Sequence, residues 1–134
     1  MPAPTDTPRG VWITTGFFIV SGILEIATSL ADGPGSLSFM RVWEVLGRGL
    51  LHFVIAAGLW RRVALCRSIA IIYCVATVLT YVVALGLAFT QTQLRFPPSV
   101  VIQSLFQVPS CVLLTPYLWS PRAAELFGRP LFGK

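Results

Sequence analysis

Residues 68–90 run for twenty-three positions without a charged side chain. No feature limits the fold of this chain more. At 1.5 Å per residue a helix of that length reaches about 35 Å, enough to cross a hydrocarbon core of about 30 Å. A soluble domain could only hide such a helix inside a large polar shell. Of the 134 residues, 55% are hydrophobic and 11% charged, against about 25% charged in an average soluble domain. The composition is that of a polytopic membrane protein.

Three further apolar runs fit the same length. Residues 11–30 carry one charge, Glu25, and residues 42–60 and 99–119 are comparable. Turn signals separate them: "DGPG" after the first, a basic hairpin with Arg61, Arg62 and Arg67 after the second, and "QTQLRFPP" after the third. The expected architecture is all-α: one integral membrane domain over 1–134, a four-helix bundle with a loosely ordered tail at 1–9. Pro109 and Pro116 fall inside the fourth span, where each removes a backbone donor and favours a kink. In the tail 120–134, Ser120 suits an N-cap, Pro121 the first helical position and Gly128 a stop. The expectation there is a short amphipathic helix at the membrane surface. "SLADG" resembles a signal-peptidase site, but the apolar run before it is too long and contains Glu25, so cleavage is not expected.

Charge sets the orientation. The seven cations Arg9, Arg61, Arg62, Arg67, Arg122, Arg129 and Lys134 fall on one side, and Arg41, Arg48 and Arg95 on the other. The positive-inside rule then puts both termini in the cytoplasm, most simply of a bacterial inner membrane. Trp12, Trp60 and Trp119 fall at inner span edges and Trp43 at an outer one, as an aromatic belt requires. The net charge of +5 follows from the same rule, so nucleic acid is not an expected partner. The lipid bilayer is.

The second span opens with "WEVLGRGLLHF", residues 43–53, in which Glu44, Arg48 and His52 stand four apart on one helical face. Arg48 enters to nearly the depth that Glu25 reaches on the first span, so a Glu25–Arg48 ion pair across the hairpin is expected. His52 lies one turn deeper. Gln103 and Gln107, with Ser104 beside them, reach the same layer from the fourth span. Ser21 and Thr28 share the face of Glu25, and Thr77, Thr80 and Tyr81 stand nearer the middle of the third span. Glu44, close to the interface, reads as solvated.

Glu25, Arg48, His52, Gln103 and Gln107 are thus the candidate ligand- or ion-binding residues. Two readings stand side by side. The polar layer binds or passes a small solute, ion or proton. Alternatively it is a structural staple, in an accessory or assembly subunit of a larger membrane complex with a basic cytoplasmic face. Ala84, Gly86 and Ala88 give the third span a small face that favours a homo-oligomer.

Other chemistry finds little support. Cys66, Cys74 and Cys111 form no CxxC and read as packing residues, so neither a disulfide framework nor a metal site is indicated. The single histidine limits haem ligation, and no cofactor is expected. GxSxG, Walker A, HExxH and dinucleotide motifs are absent, so an intramembrane enzyme using Glu25 or His52 ranks last.

Two resemblances follow. "SGILEIATSL", with its lone glutamate in the first of four spans, resembles the small multidrug resistance transporters. That resemblance implies transport, with Glu25 in the place of the family's essential glutamate. "AAGLWRRVALCRSIA" and "YLWSPRAAELFGR" resemble uncharacterised small bacterial four-span inner-membrane proteins, which implies the layout and no activity.

Overall fold

A computed structural model describes residues 8–31, 39–90 and 98–127. Among them the chain is all helical. Four long helices, α1 (Arg9–Ala31), α2 (Phe39–Trp60), α3 (Ala64–Thr90) and α4 (Pro98–Trp119), precede a short α5 (Pro121–Phe127). Each long helix encloses one of the apolar runs. Residues 1–7, 32–38, 91–97 and 128–134, with them the expected N-terminal tail, the two expected turns and Gly128, Arg129 and Lys134, lie outside the described residues.

By length and apolarity α1, α3 and the Val100–Trp119 part of α4 can each cross a membrane. α2 is of similar length, 22 residues, and carries Glu44, Arg48 and His52 within it. α1 packs on α2 and α3 on α4, and these pairs meet through α2 with α3 and α1 with α4. Antiparallel hairpins with a continuous apolar face can bury it only against one another.

α3 begins at Ala64, four residues before the charge-free run, so Arg67 belongs to its first turn and not to the hairpin. Arg67 is buried, and its Nε donates to the Leu118 carbonyl at 2.7 Å. The reason is the end of α4. The last carbonyls of a helix lack intrahelical partners and carry partial negative charge, which a cation from a neighbouring helix satisfies. The turn before α3 closes α2 with Arg62 at φ 58°. Arg62 N–H donates to Leu59 O at 3.0 Å and Val63 N–H to Gly58 O at 2.8 Å, the paired bonds of a Schellman motif.

At this same end α5 folds back. Ser120 Oγ accepts from Ala123 N–H at 3.2 Å as an N-cap, and Ala123 and Phe127 are buried against the bundle. The apolar side of α5 is therefore spent largely on protein. α4 is continuous through Pro109 and Pro116. The exposed rings of Trp12 and Trp60 meet edge to face, with centroids 4.6 Å apart.

The core is concentrated toward α5. Phe18, Ile55, Leu59, Cys74, Cys111 and Leu118 are all at or near zero exposure. Toward the other end the two hairpins behave differently. α1 and α2 stay in close contact, because Gly22 and Gly49 leave room. A Cβ on Gly22 would lie 3.1 Å from His52 Cβ, and one on Gly49 would lie 2.8 Å from Ile26. In α3 no described residue after Cys74 is buried, and in α4 none before Gln107. The helices therefore leave space between them at that end.

Candidate functional site

That space is a cavity of about 330 Å³, and all four long helices wall it. Its polar lining is Glu25 from α1, Arg48 and His52 from α2, Tyr73 from α3, and Gln103 and Gln107 from α4. The five residues singled out in the sequence thus converge on one chamber. Thr77, Thr80 and Tyr81 line it too.

Close approach at Gly22 brings Glu25, one turn further along α1, against α2. One carboxylate oxygen lies 3.8 Å from Arg48 Nη1 and the other 3.7 Å from His52 Nδ1. Both distances exceed a hydrogen bond, so Glu25 is held by charge and enclosure between two nitrogen groups. The Glu25–Arg48 pair is real but secondary. The Arg48 side chain is 63% exposed, and its Nη2 donates to Glu44 Oε1 at 2.7 Å. Glu44 is 58% exposed, as expected of a solvated carboxylate. It is the rim partner of Arg48, one helical turn away, which the sequence reading had not assigned.

His52 is 1% exposed and both ring nitrogens are engaged. Nδ1 lies 2.6 Å from the Arg48 carbonyl and Nε2 lies 2.7 Å from Tyr73 Oη. A carbonyl only accepts, so Nδ1 carries the hydrogen. In the neutral ring Nε2 then accepts from the Tyr73 hydroxyl. The rings of His52 and Tyr73 meet edge to face at 4.8 Å, and Phe18 closes the side toward the core. Tyr73 is the residue that sequence reasoning missed. Its signal was present: Tyr73, Thr77, Thr80 and Tyr81 fall at steps of four, three and one on α3, a polar stripe on one face.

On the opposite wall Gln103 Nε2 donates to Thr28 Oγ1, tying α4 to α1. Thr28 in turn bonds its own helix at Leu24 O. Gln107, deeper and 5% exposed, faces the cavity. Ser104 turns elsewhere. Its hydroxyl donates to Val101 O, and it borders a different, apolar groove. Ser21 is fully buried beside the layer and its hydroxyl has no partner among the described residues.

The chamber suits hydrogen bonding and proton exchange. It offers one carboxylate, one imidazole, two amides and several hydroxyls. Cys74 and Cys111 meet each other in the core beyond it as free thiols. The two His52 nitrogens are bonded to the Arg48 carbonyl and the Tyr73 hydroxyl, and neither bonds a cysteine. Among the described residues no group of three or more His, Cys, Asp or Glu side chains is placed to hold a metal ion. No family model, curated protein or solved structure matches this chain.

Proposed function

We propose that this chain is an integral membrane protein whose polar chamber binds or passes a small solute, ion or proton. In this reading α2 crosses the bilayer with α1, α3 and α4, as a four-helix bundle of a bacterial inner membrane with both termini cytoplasmic. The charge bias of the sequence supports that orientation, and it turns the chamber toward the outer face. α5 then lies at the cytoplasmic surface. The cavity between the four long helices carries the functional reading. A staple needs paired groups in contact, whereas Glu25 lies beyond hydrogen-bond distance of both Arg48 and His52 and faces open volume.

A thermal-shift screen in lipid nanodiscs tests this. The panel is protons, alkali cations, ammonium, amino acids and short alcohols. A ligand at a hundredfold its Kd adds about 2.7 kcal/mol of stability. At least one panel member should raise the parent's Tm and leave Glu25→Gln unmoved. Equal responses of the two proteins across the whole panel would leave only the staple.

A second reading, an accessory subunit or homo-oligomer, draws on the outer part of α3. There Leu79, Val82, Val83, Leu85 and Phe89 are all exposed, as they would be for packing on a partner helix. Copurification of a stoichiometric partner in mild detergent would favour it.

A further inference from the structure

The chamber has an apolar neighbour. A groove of about 410 Å³ runs between the outer parts of α3 and α4, walled by Val82, Leu85, Val101, Leu105 and Pro109. On α4 it extends from Val100 to Pro109, about 13 Å at 1.5 Å per residue. Val82, Leu85, Val101 and Leu105 are exposed, so no protein group covers it. Tyr81 lines both the groove and the chamber, which makes the two spaces neighbours across one side chain.

A second observation comes from inside the chamber. Gln107 is 5% exposed, yet among the described residues no hydrogen bond reaches its amide. A carboxamide brings two N–H donors and one carbonyl acceptor that burial obliges it to satisfy. Its neighbour Gln103 spends a donor on Thr28. Gln107 instead presents its amide to the cavity. Glu25 faces the Arg48 guanidinium at 3.8 Å, and Arg48 faces Glu44 as well at 2.7 Å, so each full charge lining the chamber already has an opposite charge beside it.

We infer that the solute of this site is a single-chain amphiphile from the outer leaflet. Its uncharged hydrogen-bonding head enters the chamber at Gln107, and its alkyl chain lies in the α3/α4 groove. The inference rests on the solute-binding reading above and names the solute's class. A head that both donates and accepts answers the Gln107 amide. A chain along α4 covers apolar surface that the protein leaves open, and a pocket of a few hundred Å³ is of the size that small molecules occupy.

Photolabelling of the full chain in phospholipid nanodiscs tests it. The probe is a long-chain fatty alcohol with a diazirine partway along the chain. The matching acid and amine serve as charged-head controls. The alcohol should label the peptide containing Val101 and Leu105 saturably, and unlabelled fatty alcohol should compete. Gln107→Leu should lower this saturable labelling at least tenfold. Val101→Trp, which fills the groove from an exposed position, should do the same and carries the test if Gln107→Leu fails to fold. Leu113→Trp, on another exposed face, should leave it unchanged.

Three results would overturn the inference. Labelling that rises linearly with probe and is equal at Leu113 would be ordinary lipid contact. Saturable labelling indifferent to Gln107→Leu would be a chain bound without its head. Saturable labelling by the acid or amine as strong as by the alcohol would refute the uncharged head. If groove labelling fails while the Glu25-dependent Tm response persists, the amphiphile is wrong and the solute site stands. If both fail, both readings fall.

Discussion

Tyr73 Oη and His52 Nε2 lie 2.7 Å apart, and this bond joins α3 to α2 at the floor of the chamber. Because His52 Nδ1 is committed to the Arg48 carbonyl, Tyr73 is the donor that satisfies the other side of a buried ring. Tyr73→Phe leaves Nε2 without that donor. The expected cost is about 1–3 kcal/mol, the usual penalty for orphaning a buried polar group. Reversible unfolding in mixed micelles measures it. A variant with the parent's stability would show that the ring has another partner.

Arg48 is expected to contribute little to stability despite its two carboxylate neighbours. Its side chain is mostly exposed and its shortest contact, to Glu44, is an i,i+4 pair at the rim. Exposed pairs contribute about 0–1 kcal/mol, whereas breaking a dry pair costs about 3–5 kcal/mol. Arg48→Ala should therefore fold in nearly parental yield, and Glu44→Gln likewise. A collapse of folded yield in Arg48→Ala would mean that Glu25 depends on it in a dry setting.

Arg67 should matter more. Its Nε is buried on the Leu118 carbonyl and couples the start of α3 to the end of α4. A hydrogen bond from a charged donor contributes about 1.5–3 kcal/mol, and Arg67→Met should lose about that much. The loss should appear as lower unfolding free energy with the chamber's ligand response intact. An Arg67→Met protein as stable as the parent would remove the coupling role.

How far the sequence foretold this arrangement depends on the residue. The four long helices and the meeting of Glu25, His52, Gln103 and Gln107 were legible, because apolar run length and four-residue spacing fix depth and face. The nearer partner of Arg48 was not. Spacing alone put Glu44 and Glu25 both within reach, and only backbone separation at Gly22 and Gly49 decides which distance is shorter. Arg67 was misplaced for a related reason. A cation beside an apolar run reads as a loop residue unless the carbonyl that takes its charge is known, and that carbonyl is fifty-one residues away. Tyr73 was passed over although it opens the polar stripe of α3, because a tyrosine in an apolar helix reads as packing until the partner of its hydroxyl is known.

Arg62 offers a test of a different kind. It holds φ 58° at the end of α2, a conformation that costs a side-chain-bearing residue about 1–2 kcal/mol and glycine almost nothing. Arg62→Gly should raise stability by up to about 1 kcal/mol after the added freedom of the unfolded chain is counted. Destabilisation would show that the arginine side chain makes contacts that outweigh its backbone strain.

The central claim is that the chamber is a wet site open to the outer face. Cysteine accessibility tests it most directly. In a background with Cys66, Cys74 and Cys111 replaced by alanine, Thr80→Cys and Gln103→Cys place a thiol on the chamber wall. Leu79→Cys and Leu113→Cys place one on exposed apolar surface away from it. A charged, membrane-impermeant methanethiosulfonate is then added outside sealed, oriented vesicles. Thr80→Cys and Gln103→Cys should react, and Leu79→Cys and Leu113→Cys should not. If the two chamber thiols stay unmodified from outside, or react only from the cytoplasmic side, the account of an outward-facing site is contradicted.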